Sequence, residues 1–541
     1  VDTIDMPPAF TRRHFLQRLG AAGGSAAVLQ AALALGLTPA SARAEPAALR
    51  LPPGEGRSVV LLGGGLASLM ACLELEHAGF ACTILEASHR VGGRNLTLRA
   101  GDLVDEMGYP GRCGFDDDPH LYFNAGPARI PAHHRLVLHY CRRLGVELEP
   151  FVNVDYNAWV HDSRAFGGKR VRQRQILADA RGFLTELVAK SGDRGAFDEH
   201  FSADDLERFM AFLSSYGDLD SGLLYRGSPR AGYLRSGSAA PTAGMLEPGQ
   251  LRERLDFHEI LKSDFWAYKM HWGEGEDQAA PLMQARGGMD RIVDAFRREI
   301  RSPVHLHAQV QRLRVSDGGV EVVYQQRGAL QRLRADFCLN NIPSHLLLGL
   351  DHNFPARYTE GLGSIGRGRL FKLGVQMNAR FWEDEGIYGG ISWTDQPIEQ
   401  VWYPSHGAHR PRGIMLAAYT FDPAHASGFA RMAPEARYSA ALDQLEKLHP
   451  EARRHAGAFV SVPWQRMNHH LGCGAIWSDE ARERHFRYLQ RPLHGRHLML
   501  GDQMSYHPAW QEGALSSAYH ALRELGTLAA SGSTVASRRP L

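Results

Sequence analysis

Lys372 lies in an otherwise apolar run, Leu370-Phe371-Lys372-Leu373-Gly374-Val375-Gln376. An ammonium there is costly unless it is paired or functional. Arg129 closes the segment Phe123-Asn124-Ala125-Gly126-Pro127-Ala128-Arg129-Ile130-Pro131. Its small residues let backbone lie against a flat ring, and the guanidinium just beyond can grip a carboxylate with two parallel hydrogen bonds. In Gln400-Val401-Trp402-Tyr403-Pro404 an aromatic pair precedes a proline. The pair can wall a pocket, and a phenol can be a second donor to the carboxylate. Gly501-Asp502 ends an apolar run, and Trp510 precedes Gln511-Glu512-Gly513-Ala514-Leu515, where a helical pattern begins. The combination suits a small molecule with a carboxylate held against a flat ring.

The element that would position such a ring is Val59 to Arg94. The apolar run Val59 to Leu62 feeds a tight turn, Gly63-Gly64-Gly65-Leu66-Ala67-Ser68, then a helical pattern, then a strand from Ala81 to Leu85 ending in Glu86. The first glycine permits the turn, the second lets a pyrophosphate approach the backbone, and the helix start offers N–H groups to phosphates. Ser68 takes the third small position in place of Gly or Ala. Glu86 lies at the distance expected of a ribose acceptor. The chain continues as Ala87-Ser88-His89-Arg90-Val91-Gly92-Gly93-Arg94. A nicotinamide enzyme needs nothing there. FAD, reaching back into the protein, needs a second backbone approach and a cation for its phosphates.

This extended pattern resembles the FAD site of the flavin amine oxidase family, which includes monoamine oxidases and L-amino-acid oxidases. The segments around Arg129, Lys372, Tyr403 and Trp510 are similar to those of bacterial L-amino-acid oxidases and span most of the chain after residue 57. The resemblance implies that Gly126, Pro127, Ala128 and Arg129 border the isoalloxazine and that Arg129 binds a substrate α-carboxylate. It places Lys372 at flavin N5 through a water and makes Trp510 a wall of the substrate cage. Tyr403 is favoured as second carboxylate donor, with Trp402 as the alternative contact or both as core. Asp502, beside Gly501, matches an acidic residue near the ribityl and phosphates. The helix opening at Gly513-Ala514-Leu515 would aim its positive end at flavin N1 and O2. Val310 is assigned to the cofactor with its strand. Members with covalent flavin use a cysteine in the loop that here runs from Ser505 to Ala509 without one, so non-covalent FAD is expected.

The fold class expected is α/β, with a Rossmann-like FAD-binding domain built from residues 56–112, 283–345 and 488–530. A mixed-sheet substrate domain would take 113–160, 246–282 and 346–487, and a helical insertion 161–245. Single strands are expected at Val304–Val310, Val320–Tyr324 and Ala335–Leu339, and a helix from about Glu512 to Leu528.

Residues 1–44 read as a leader. Thr11-Arg12-Arg13-His14-Phe15-Leu16 resembles a twin-arginine signal, an apolar stretch runs from Leu19 to Leu37, and Ala42-Arg43-Ala44 is a small-x-small cleavage site. Export to the periplasm follows as the expectation. The leader holds four Arg and two Asp, and without it the basic and acidic residues are equal in number. That balance gives no support to nucleic-acid or anionic-membrane binding. No later segment approaches 18 uninterrupted apolar residues, so no membrane is expected for the mature chain. The six cysteines form no CxxC pair, so no metal and no disulfide framework are expected. The family suggests a homodimer.

The resulting expectation is oxidative deamination of an L-amino acid with O2 as acceptor, giving a 2-oxo acid, ammonia and hydrogen peroxide. The rivals are an amino-acid 2-monooxygenase and an amine oxidase for polyamines or monoamines. No side-chain base announces itself. His120, His133, His134 and His139 flank Arg129, but in a chain with 27 histidines they are read as structural or surface residues. Side-chain specificity stays open. The acids Asp218, Asp220, Glu274, Glu276 and Asp277 could select Arg or Lys substrates but read first as solvated loop charges. The tryptophans Trp266, Trp272, Trp393 and Trp477 could favour apolar substrates or simply build core.

Overall fold

The computed structural model describes residues 49–192, 201–234 and 249–536, so the leader features lie outside the described residues. Ser58–Leu62 is buried after its first residue. It pairs in parallel with Ala81–Leu85 on one side and Phe337–Asn340 on the other. Val304–His305 and His497–Met499 complete a five-stranded sheet in the order 304–305, 81–85, 58–62, 337–340, 497–499, parallel throughout. Strands covered on both faces read as near-continuous apolar runs, as SVVLL and FCLN do here. The strand order runs outward from the central strand on both sides, to Ala81–Leu85 and then Val304–His305 on one and to Phe337–Asn340 and then His497–Met499 on the other. A crevice therefore opens at the carboxyl end of Ser58–Leu62, where open α/β sheets bind ligands. The α/β reading holds, and the parallel sheet draws its strands from three separated stretches of sequence.

Two expected strands each divide between sheets. Val304–Val310 becomes Val304–His305 in the parallel sheet and the start of Gln309–Ser316 in a four-stranded sheet. Ala335–Leu339 becomes the end of Ala329–Ala335 and the start of Phe337–Asn340. The burial patterns explain both. Gln309–Ser316 and Gly319–Gln326 alternate between buried and more open positions, as half-solvated antiparallel strands do, whereas Phe337–Asn340 is buried at every position. The C-terminal helix also runs longer than expected, Gln511–Ala536.

A mixed seven-stranded sheet is ordered 171–172, 159–161, 391–394, 400–402, 413–420, 371–377, 456–463. One face packs Phe371, Leu373, Val375, Val401 and Tyr403 against Phe429, Leu442 and Leu445 of the helices Pro423–Arg431 and Pro434–Leu445. The other face carries Trp402, Ile414 and Leu416, packed with Leu98, Phe123 and Trp464. Alternation along each strand thus decides which of two sequence neighbours faces the crevice. The long helices Gln173–Gly192 and Ala203–Gly217 lie within 161–245, the stretch expected to be helical. No helix among the described residues is long and apolar enough to cross a membrane.

Candidate active site

A cavity of about 630 Å³ runs from the carboxyl end of the parallel sheet to the seven-stranded sheet. At one end Gly63 turns the chain with φ +83° into the helix Leu66–His77. That helix has Gly65 as its N-cap, no side-chain cap and no acidic residue in its first turn. Its leading N–H groups are therefore available to an anion. A Cβ on Gly65 would come within 2.6 Å of Asn341 Nδ2, so the close approach depends on glycine. Glu86 is buried. Its Oε2 accepts from the Gly64 N–H at 2.6 Å and its Oε1 from the Ser88 N–H at 2.8 Å, which fixes the carboxylate at the cavity wall. Gly92 N donates to Gly64 O at 2.8 Å, locking the second glycine pair onto the first. This end fits a dinucleotide: bare backbone, a helix N-terminus and an oriented carboxylate.

Arg94 and Asp502 both line the cavity and form an ion pair, with Arg94 Nη1 also donating to Cys473 O at 2.9 Å. Burial alone would raise the Asp502 carboxyl, but the Arg94 charge and hydrogen bond hold it down at about 2. The Arg94 charge is thus already engaged, and it joins the glycine loop to the strand end at Gly501.

At the far end, Arg129 is 8% exposed and has no carboxylate partner among the described residues. Its Nη2 donates to Gln278 Oε1, while its Nε is buried without a partner. The guanidinium carbon lies 5.0, 5.1 and 6.0 Å from the rings of Trp402, Trp510 and Trp272. Burial lowers its pKa to about 10, which still leaves it a cation at neutral pH. Aromatic faces stabilise such a cation, but a carboxylate stabilises it far more.

Lys372 sits on the same face of the seven-stranded sheet as Trp402. Its Nζ donates to Gly126 O at 2.6 Å and Asn124 O at 3.2 Å and lies 4.4 Å from the Tyr419 ring centre. Burial, aided by the Arg129 charge, lowers its pKa to about 7. A Cβ on Gly126 would strike Arg94 O at 2.0 Å, so no larger residue could hold this loop against the cation.

The expected cofactor residues Gly63, Gly65, Leu66, Ala67, Glu86, Ala87, Arg94, Gly126, Pro127, Ala128, Arg129, Val310, Gly501, Asp502 and Ala514 line one cavity, together with Lys372 and Trp510. Four expected residues do not reach it. Ser68 is turned into the core, its Oγ without a partner. Gly513 is pressed against the His507 carbonyl, and Leu515 is fully buried in the helix packing.

Tyr403 is the fourth, and it requires correction. Its hydroxyl is 2.6 Å from both Ser392 Oγ and His449 Nε2, inside the core on the opposite face of the sheet. The pleat turns Trp402 toward Arg129 and Tyr403 away from it. The phenol on the cavity side is Tyr419, which pairs in register with Lys372.

Sequence reasoning missed Tyr419, Gln278, Phe421, Trp464 and Asn341, which also line the cavity. Strict alternation from Leu416 would have put Tyr419 on the far face with Met415 and Ala417, and the register shift at Ala417 is what turns it toward the cavity. Gln278 lies in a loop with no periodic signal. Of the proposed specificity acids, none lines the cavity: Asp277 faces His133 and His134, Asp220 faces Arg226, and Glu274 faces His271. Trp272 does line it, with Trp393 packed behind at 5.6 Å.

The parallel sheet with its anion-ready turn, opening onto a buried cation among tryptophans, defines a dinucleotide-binding α/β enzyme. Residues 66–525 match the flavin containing amine oxidoreductase family, and the chain belongs to it, which makes the bound group a flavin. It is 27% identical over 471 residues to an L-amino-acid oxidase of Siganus canaliculatus, covering 86% of this chain and 84% of the relative. It is 28% identical over 498 residues to the flavin-dependent L-tryptophan oxidase RebO of Lentzea aerocolonigenes, covering 87% and 98%. Its fold is similar to that of putrescine oxidase solved with putrescine bound, with a TM-score of 0.57 at 17% identity over 88% of this chain and 99% of that one.

Proposed function

We propose that the chain is an FAD-dependent L-amino-acid oxidase, converting an L-amino acid and O2 to a 2-oxo acid, ammonia and hydrogen peroxide. The observation that carries this reading is the buried Arg129 guanidinium, without a carboxylate partner among the described residues and with Nε unsatisfied. A buried cation of this kind is complete only when a carboxylate arrives. An amine without a carboxylate would leave it unpaired. The relatives named as L-amino-acid oxidases support the same reading.

FAD, when bound, supplies the electron acceptor that takes a hydride from the substrate Cα and passes two electrons to oxygen. The residues that would hold it are the Gly63–Ala67 turn with the helix behind it, Glu86 for the ribose, and Asp502 with Arg94 near the chain linking ring and phosphates. Segments 56–112, 283–345 and 488–530 are assigned to the cofactor, and 113–160, 246–282 and 346–487 to the substrate. Arg129 clamps the α-carboxylate and so orients Cα–H. Trp272, Trp510, Tyr419 and Phe421 exclude water and enclose the side chain, favouring neutral and aromatic side chains over basic ones. Lys372 holds or releases a proton at Nζ near neutral pH. The imino acid product hydrolyses in water.

The loop from Ser505 to Ala509 contains no cysteine, and burial pushes the Cys473 thiol up and away from its nucleophilic form, so FAD is held non-covalently. The arginine pair at 12–13 supports export by the twin-arginine route to the periplasm, and the family resemblance supports a homodimer. The deciding experiment mixes the enzyme anaerobically with a panel of L-amino acids, then admits air. Bleaching and return of the flavin colour with 2-oxo acid and peroxide is the expected result. An unreduced flavin throughout, or an amide with carbon dioxide, would overturn the proposal.

A further inference from the structure

Beside the cavity, His133, His134 and Asp277 converge on one point. The Nε2 atoms of both histidines lie 3.0 Å from the same oxygen, Asp277 Oδ1, and all three ligand atoms lie within 4.8 Å of one another. The rings are nearly perpendicular, at 84° with centres 4.7 Å apart. As hydrogen bonds, this requires both neutral rings to carry their proton on Nε2 and one oxygen to accept both. With the ring protons on Nδ1, the same atoms offer two imidazole lone pairs and a carboxylate oxygen to a single position.

Two imidazoles and a carboxylate are the ligands that zinc and neighbouring divalent ions prefer. Ligand atoms around tetrahedral zinc lie about 3.3 Å apart, so each histidine–aspartate distance needs to open by only a few tenths of an ångström. His134 is 2% exposed and braced by the rings of Trp510 and His507 at 5.1 and 6.2 Å. His133 and Asp277 keep 37% and 27% of their side-chain surface, which leaves room for ion entry and a fourth, water ligand. None of the three lines the cavity, and the flavin reading uses none of them.

We propose that His133, His134 and Asp277 form a zinc-type divalent metal site whose occupancy is felt at Arg129. Asp277 is covalently joined to Gln278, the residue that accepts from the Arg129 guanidinium. His134 packs edge-on against Trp510, whose ring lies 5.1 Å from the same cation. Metal capture moves the Asp277 carboxylate and places one positive ion next to the residues that touch Arg129, Gln278 through the chain and Trp510 through His134.

The test is equilibrium dialysis of untagged, flavin-loaded enzyme against buffered zinc chloride, with bound metal counted by elemental analysis. The wild type should hold one zinc per chain more than His133→Ala and Asp277→Asn, whose affinity for that ion should fall at least tenfold. Retention of the flavin absorption spectrum shows that each variant is folded. Equal zinc in all three proteins, or none in the wild type, overturns the site. Zinc should also shift KM for an L-amino acid at least threefold in the wild type and not in His133→Ala. An unmoved KM in zinc-loaded wild type overturns the link to Arg129. The zinc count stands independently of the amino-acid oxidase reading, so the two can fail separately.

Discussion

Lys372 donates from Nζ to the carbonyl oxygen of Gly126 at 2.6 Å, tying a strand of the seven-stranded sheet to the loop that ends in Arg129. The two buried cations of the site are thus placed by one contact between elements almost 250 residues apart in sequence. A buried ammonium held by two carbonyls is stabilised, but without an anion its charge stays expensive.

With Arg129 as the proposed carboxylate clamp, its replacement by alanine would remove a charge-assisted double hydrogen bond to substrate worth about 3 to 4 kcal/mol. kcat/KM for an L-amino acid should fall by roughly 10² to 10³, while flavin content is unchanged. Steady-state peroxide assays with a flavin spectrum alongside measure both.

The Lys372 pKa of about 7 predicts an ionisation near neutral pH in the profile of flavin reduction or reoxidation. Lys372→Met should abolish that inflection and slow the affected step by roughly 10²-fold. The same depressed pKa affects stability. The unfolded chain binds more protons at this group between about pH 7 and its ordinary value of 10.5, so its contribution to stability rises with pH across that window. In Lys372→Met the slope of unfolding free energy against pH should be shallower there.

Tyr403→Phe separates the core residue from a substrate contact. Ser392 and His449 would each lose a buried partner, costing about 1 to 3 kcal/mol in denaturant unfolding. KM for L-amino acids should change less than about twofold, far below the 10²-fold that removing a real carboxylate donor brings.

The aromatic enclosure predicts the order of substrates. Trp272→Ala should lower kcat/KM for L-phenylalanine by roughly fivefold, corresponding to the loss of an aromatic contact of about 1 kcal/mol, and leave L-alanine nearly unaffected. L-lysine should remain a poor substrate in both proteins, because among the described residues the acids lining the cavity, Glu86 and Asp502, stand at the cofactor end and none stands beside Trp272.

Acid precipitation should leave the flavin in the supernatant and a colourless pellet, as expected of non-covalent FAD. Colour retained in the pellet would point to Cys473, the cysteine that lines the cavity.

The cofactor end of the site was legible in the sequence because its parts are covalent neighbours. Strand, turn, helix and acidic strand end follow within thirty residues or so, and backbone sterics leave few ways to connect them. Ser58–Leu62, the Gly63 turn and the carboxylate of Glu86 therefore stand where the spacing put them. Lys372 was also visible, since an ammonium in an apolar strand contradicts its surroundings. The substrate end was only partly legible. Which of Trp402 and Tyr403 meets Arg129 depends on which sheet face the helices at 423–431 and 434–445 cover, and a strand buried on both sides reveals no preference. Gln278, Tyr419 and the meeting of His133, His134 and Asp277 arise from packing between distant segments. Local sequence thus determined the cofactor turn and the types of residue available. Tertiary structure alone decided which of them share a cavity, because side-chain direction follows sheet register and layer packing, and neither is encoded by spacing along the chain.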